Sequence, residues 1–207
     1  MSKTQKNQRK QKNELKKTRL ITGCGVLTAA AVVLQFLEIS IPFIPSFIKL
    51  DFSDLPELIG AFAYGPVAGI IIALIKNVIH LAVSQSGYVG ELSNFILGAV
   101  FSGVAGLIYK KHKTMKGALV GGIVGALCMA ALSFPSNLYI VYPFYYHFMP
   151  KETVLSAYQA IVPSMKSIEQ SLLVFNMPFT FLKGILCVII SMLIYKPLSP
   201  FLHGRQQ

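Results

Sequence analysis

"KLDFSDLPELIG", residues 49–60, sets Asp51, Asp54 and Glu57 and a proline inside a chain that otherwise reads as lipid-facing. Whether residues 54–64 form a crossing helix decides the number of spans, and with it the topology. At ~1.5 Å per residue, eleven helical residues cover only about half of a ~30 Å hydrocarbon core. Five other segments are long enough to cross unaided: about 20–40, 66–84, 92–112, 117–146 and 171–195. Lys and Arg favour the cytoplasmic side of a membrane. They cluster in residues 1–19, eight against one Glu, and again in "KKHKTMKG" as Lys110, Lys111, Lys113 and Lys116. Both clusters lie on one side only if an even number of crossings separates them. Without 54–64 there are three; with it, completed by the loop before it, there are four. The expected fold is therefore an all-α integral membrane protein of six transmembrane helices, the second short, with both termini cytosolic.

The composition agrees. The chain of 207 residues is 54% hydrophobic and 13% charged, well outside the usual range for a soluble domain. It divides into a basic cytosolic tail (1–19), a six-helix membrane domain (20–197) and a short cytosolic C-terminal tail (198–207). Fourteen of the nineteen cationic residues then fall inside: eight in the tail, four in the central loop, and Lys196 and Arg205. A basic polar tail suits a nucleic-acid arm or the flank of a first span, and the apolar segment that follows at once favours the flank, so no nucleic-acid partner is expected. No small-x-small cleavage site precedes a soluble body, so no signal peptide is expected either. "AYGPVAG" breaks the chain at Gly65 and Pro66. The outer loops are 41–53, 85–91 and about 147–170, the last with an amphipathic stretch, "KETVLSAYQAIVPSMKSIEQ", interrupted by Pro163.

Catalytic signatures are missing. The chain has no H-E-x-x-H, no G-x-S-x-G and no G-x-x-x-x-G-K-[ST], and His80, His112, His147 and His203 stand apart. Cys24, Cys128 and Cys187 lie singly in apolar stretches, which reads as membrane packing and neither as disulfides nor as metal ligands. No catalytic residues, no metal and no enzyme activity are expected. Uphill transport would draw on an ion gradient or a separate ATPase. Glycine runs such as "GGIVGA" and "GVAG" read as helix-contact surfaces.

Polar groups at membrane depth are costly, and by default they point to a ligand or ion site. Lys76 and Asn77 lie in "IALIKNVIHL", Glu91 and Asn94 in "GELSNFILG", Asn137 in "LSFPSNLYIVYPFYY" and Lys183 in "NMPFTFLKGIL". Each has a structural alternative. Glu91 and Ser93 can satisfy free N–H groups at a helix start, Lys76 can snorkel or bond a neighbouring helix, and Asn137 can join helices beside Pro135. Lys183, shortly after Pro178, suits a broken helix start lining a cavity. Asp51, Glu91, Asn137, Thr180 and Lys183 all map to the outer half, with Phe95, Tyr139, Tyr142, Phe179 and Phe181 nearby. An outward pocket of this kind suits a flat heteroaromatic with a polar tail. Within the opening strip, Asp54 reads as an N-cap and Glu57 as its capping-box partner, with Pro56 in the first turn, and Asp51 precedes them in the outer loop.

Three stretches together, "IPFIPSFIKLDFSDLPELIGAFAYGPVAGIIIALIKNVIHL", "VGELSNFILGAVF" and "MPFTFLKGIL", resemble the riboflavin-specific substrate-binding (S) component of energy-coupling factor (ECF) vitamin transporters. The resemblance implies a multi-pass protein of the bacterial cell membrane that binds riboflavin, and flavin mononucleotide with it, as cargo. It implies no resident cofactor, an outer lid made by the loop between helices one and two, and three partner subunits: a transmembrane coupling subunit and two ATPases. Carried over by position, Lys183, Asn137 and Glu91 are ligand contacts, joined by Thr180 and Asn94 and by Leu50 and Asp51 of the lid. Relatives often carry Asn where Thr180 stands, so one contact to the pyrimidine edge is expected to be weaker or water-bridged. Gly25 and Ala29, reinforced by Ala30 and Ala31, resemble the family's small-xxx-small docking pair, although such a pair equally suits internal packing. An S component for another vitamin and an autonomous ion-coupled carrier remain alternatives.

Overall fold

The computed structural model describes residues 3–42, 44–45, 48–84, 86–147 and 149–203, with side chains described as far as residue 194; Arg205 and the side chain of Lys196 lie outside this description. Its first helix, α1 (Lys3–Phe36), is unbroken. The basic tail is thus the first half of the helix that also forms the first span. Lys, Gln and Glu are good helix formers, and no Pro or Gly precedes Gly23, so polarity changes near residue 20 while conformation does not. Leu27, Thr28, Ala31 and Gln35 are buried along one stripe, while Ile21, Val26 and Val33 are exposed on the rest of the surface.

After α1 the chain makes a two-residue antiparallel pairing, β1 (Ile39–Ser40) with β2 (Lys49–Leu50), Ile39 opposite Leu50. Helix α2 (Asp54–Tyr64) follows, buried from Asp54 to Phe62. Gly65, at φ +103°, takes a backbone conformation that residues with a Cβ rarely adopt, and Pro66 opens α3 (Pro66–His80). The two helices therefore meet at a sharp turn. A single 3₁₀ turn, Leu81–Val83, ends this arm, and α4 (Val89–Lys111) begins after Tyr88 at φ 75°.

Helix α5 (Met115–Ser136) starts where the Thr114 side chain accepts from Gly117 N at 3.0 Å. It runs through a π-helical turn, Asn137–Val141, into α6 (Tyr142–Tyr145). The amphipathic stretch forms α7 (Lys151–Gln159), which ends before Pro163 and buries Val154 and Tyr158, four residues apart on one face. The last arm opens with α8 (Ile168–Ser171), capped by Ser167, passes a second π-helical turn, Leu172–Asn176, and continues as α9 (Met177–His203). The helix thus extends into the segment expected to be a tail.

Among the described residues, five helical stretches are long and apolar enough to cross a membrane: Gln5–Phe36, Pro66–Val83, Val89–Lys111, Met115–Tyr145 and Ile168–Ile194. The main core gathers Leu27, Leu58, Ile72, Phe101, Met129 and Val188 around α2. A Cβ on Gly121 would come within 2.7 Å of Ala105 O, and one on Gly125 within 2.6 Å of Phe101 O, so α4 and α5 touch backbone to backbone along this edge. A second cluster, with Tyr142, Val154, Tyr158, Ile168 and Leu172, joins α7 to both π-helical turns, and Ile48 of the α1–α2 loop packs on it.

Candidate functional site

A cavity of about 780 Å³ lies where the end of α1, the β2–α2 junction, the end of α3 and the start of α4 meet the first π-helical turn and the start of α9. A smaller pocket of about 290 Å³ includes the α2–α3 turn (Tyr64, Gly65, Pro66) with Lys110 and Lys113. Helices α2, α3 and α4 thus run between the two sites, and the basic loop lies at the end away from the large cavity. Six of the seven residues nominated from sequence line that cavity: Lys183, Asn137, Glu91, Thr180, Asn94 and Asp51. Leu50 does not; it pairs with Ile39 in the small sheet, while Ile48 and Lys49 reach the lining.

The acidic strip works differently from a helix cap. Ser53 holds the N-cap position of α2 with no capping hydrogen bond, and the carboxylates turn inward to two lysines. Lys76 Nζ lies 2.9 Å from Asp54 Oδ1 and 2.7 Å from Glu57 Oε1, with all three side chains buried. Lys183 Nζ lies 2.9 Å from both Asp51 Oδ2 and Asp54 Oδ2. Asp54 therefore bridges the two ammonium groups. Ser53 completes the set: its N–H donates to Asp51 Oδ1 at 2.8 Å, and its hydroxyl contacts both Asp51 and Lys76. The capping reading of Asp54 and Glu57 is corrected on energetic grounds. A cap contributes ~1 kcal/mol, whereas a buried ammonium left unpaired costs several kcal/mol. Lys76 does not snorkel; it is fully buried and ties α3 to α2.

Lys183 commits two of its three N–H donors to carboxylates and keeps one for the cavity that it lines. Burial pushes the Asp51 carboxyl up, but Lys183, Lys76 and the Ser53 hydrogen bond together outweigh this and hold it below the usual carboxylate range. The α1–α2 loop is thereby tied to α9 across 132 residues of sequence.

Glu91 sits in a cage of donors. Its Oε1 lies 3.0 Å from His80 Nδ1, and its Oε2 accepts from Ser84 Oγ at 2.8 Å and Ser86 Oγ at 2.7 Å. His80 thus has a carboxylate partner, and it also faces the Phe36 ring at 5.4 Å. Asn137 Nδ2 donates to Ser133 O at 2.7 Å, which turns its carbonyl oxygen outward from that bond. Ser93 and Ser136, 2.8 Å apart, pin α4 to α5 just behind.

The lining residues not nominated from sequence include Asp54, His80, Gln35 and Asn176. Gln35 Nε2 donates to Asn77 Oδ1 at 3.2 Å, and Asn77 Nδ2 to Ala73 O at 2.8 Å. Asn176 Oδ1 accepts from the Tyr158 hydroxyl at 2.8 Å. The available signal was polarity in apolar surroundings, the same signal that marked Asn137. The aromatic signal was less accurate: among Phe95, Tyr139, Tyr142, Phe179 and Phe181 only Phe179 lines the cavity, where Phe36 and Tyr145 join it. Tyr139 is exposed on the apolar surface, Tyr142 is buried in the second cluster, and Phe181 packs on the main core.

Gly25 and Ala29 lie exposed on α1, with no atom within 4 Å of a Cβ added at Gly25. Among the described residues no three His, Cys, Asp or Glu side chains converge as a metal site. The cavity offers directed donors and acceptors among charges that are paired within the fold, an arrangement suited to recognition. Its volume falls within the ~300–1,000 Å³ usual for small-molecule sites.

Residues 19–195 match the family described as ECF transporter, substrate-specific component. The riboflavin transporter RibU of Staphylococcus aureus (strain TCH60) is 36% identical over 196 residues, covering 95% of this chain and 98% of the relative. The riboflavin transporter FmnP of Bacillus subtilis (strain 168) is 30% identical over 193 residues, covering 92% and 97%. A solved structure of the S component of a bacterial ECF transporter superposes with a TM-score of 0.70 at 35% identity, covering 92% of this chain and 99% of that one. The match covers the first long apolar helix from residue 19, the other long apolar helices whole and every residue that lines the cavity, so the chain belongs to the substrate-specific components of ECF transporters.

Proposed function

We propose that this chain is a riboflavin-binding S component that captures flavin from the outer side of a bacterial cell membrane. Uptake then depends on a transmembrane coupling subunit and two ATPase subunits. The carrying observation is the single cavity that gathers Lys183, Asn137, Glu91, Thr180, Asn94 and Asp51 from widely separated segments. Its shape and donor pattern suit a flat ring system with a polyhydroxylated tail. Lys183 donates to a carbonyl of the pyrimidine edge, Asn137 accepts from a ring N–H, and the Glu91 cage faces the ribityl hydroxyls. Leu50 belongs to this reading as a lid residue beside the cavity.

Six crossings with both termini cytosolic fit the same geometry. Lys110 and Lys113 border the pocket at the end opposite the cavity, and the positive-inside rule assigns that end to the cytosol. Helix α2 counts as a crossing because it is buried within the bundle, where its short length meets protein more than lipid. The α1–α2 loop, tied to α9 through Asp51 and Lys183, acts as the lid. Exposed Gly25 and Ala29 form the docking face for the coupling subunit.

Purified protein titrated into riboflavin is expected to quench flavin fluorescence to saturation at one site. A sample that leaves the fluorescence unchanged, while binding another vitamin, would reassign the cargo. Uptake in vesicles lacking any ATPase, abolished by an uncoupler, would instead establish an autonomous carrier.

A further inference from the structure

Asn176 closes the second π-helical turn and lines the cavity, although only 7% of its surface is exposed. Its carbonyl oxygen is held by the Tyr158 hydroxyl, and Tyr158 in turn contacts the Tyr142 hydroxyl. Tyr158 lies on α7, in the connection outside the long apolar helices, and is fully buried. Burial pushes its phenol upward, so it stays protonated and keeps a proton to donate. A carboxamide has one acceptor oxygen and one NH₂ group. With the oxygen of Asn176 engaged and Tyr142 beside its amide, the second N–H of the NH₂ is what remains to turn toward a ligand.

Asn137, which opens the other π-helical turn, is fixed in the opposite sense. Only an NH₂ can donate to a backbone carbonyl, so its bond to Ser133 O assigns the amide and leaves the oxygen to accept. The two π-helical turns therefore present one acceptor amide and one donor amide to the same cavity. Such turns re-aim side chains by one residue and recur at functional sites. Asn176, Thr180 and Lys183 recur at i, i+4 and i+7 and all line the cavity, so the donor amide shares a helix face with the lysine.

We propose that Asn176 donates a hydrogen bond to a ring carbonyl of the bound ligand, held in the donating sense by Tyr158, and that this contact makes the cavity selective for a carbonyl at that position. The proposal rests on the flavin reading and adds to it a specificity residue and the tyrosine that positions it. A bond that merely joined α7 to α9 would change stability without changing selectivity.

The test measures affinities for riboflavin and for its 2-thio and 4-thio analogues, since sulfur accepts a hydrogen bond more weakly than oxygen. The thermal midpoint of each unliganded protein is followed in parallel. Wild type is expected to prefer riboflavin to at least one thio analogue. Asn176→Ala is expected to bind riboflavin about tenfold more weakly, the value of a net hydrogen bond, and to lose that preference. Tyr158→Phe keeps the carboxamide but lets it turn over, so a loss of about threefold in affinity is expected, with a reduced preference. Riboflavin affinity and thio discrimination both unchanged in Asn176→Ala would overturn the proposal. If Asn176→Ala does not fold, Tyr158→Phe decides by the same two readouts. Wild type that binds no flavin would overturn the flavin reading and this inference with it; wild type that binds while the variants match it would overturn this inference alone.

Discussion

The two polar walls of the cavity contrast sharply. At the β2–α2 junction three carboxyl groups and two ammonium groups pair with one another behind almost no exposed surface. At the π-helical turns Asn137 and Asn176 are neutral, each held by neighbouring groups of the fold, and both line the cavity. The first wall resolves a burial problem internally, and only Lys183 retains a donor for a ligand. The second keeps its capacity in reserve. A buried charge must be paired whether or not a ligand is present, whereas an amide can wait at a smaller cost.

Removing a charge from the first wall should therefore have the largest effect, and on stability. Lys76→Met leaves Glu57 unpaired in the core and Asp54 with Lys183 alone, and a loss of ~3–5 kcal/mol is expected, read as a lowered thermal midpoint in detergent. If the midpoint hardly moves, the network does not bear on stability and the contrast fails. Adding Glu57→Leu to Lys76→Met should recover part of the loss, because the second change removes a carboxylate that the first left unpaired.

Lys183→Ala tests the one residue that belongs to both functions. Flavin affinity is expected to fall at least about tenfold, with a smaller stability loss than Lys76→Met because Lys183 is nearer the cavity. Unchanged affinity in a fluorescence titration would remove it from the ligand.

Asp51→Asn weakens the tie between loop and α9 while Asp54 still pairs Lys183. A loss of about threefold in affinity, seen mainly as faster flavin release, is expected of a loosened lid. The sign of the pH effect follows from the lowered Asp51 carboxyl. Its contribution is fully present above the ordinary carboxylate value of ~3.9 and is lost as pH falls through the lower folded value. Release rates of wild type should therefore show no Asp51-dependent change between about pH 5 and 8.

Gly25→Leu and Ala29→Leu touch neither wall, so stability and flavin affinity should stay at wild-type values. Uptake by the assembled transporter should drop, since bulky side chains keep helices apart. Normal uptake in both variants would move the docking surface elsewhere.

Legibility in the sequence followed the range of the interaction. The bounds of α2 could be read because Pro56 and the Gly65–Pro66 pair mark its two ends locally. The start of α1 could not, since hydropathy reports the solvent around a helix and not its conformation. Glu91 and Lys183 stood out as charges in apolar runs, but their partners did not. His80 and Ser84 reach Glu91 only through the turn after α3, and Asp54 meets Lys76 from 22 residues away. The π-helical turns have prolines beside them, Pro135 and Pro143 at the first and Pro178 at the second, but these mark a disturbed helix without saying which side chain it turns inward.

The sequence by itself determined an all-α chain with several membrane-crossing helices, a short helix at 54–64 and a set of buried polar residues. Those follow from hydropathy, helix length and turn chemistry, which act over a few residues. Which carboxylate pairs with which lysine, and which partner each amide takes, was decided only when the helices packed. Charges and hydrogen bonds act at about 3 Å, and only the tertiary structure brings residues 51, 54, 76 and 183 within that distance.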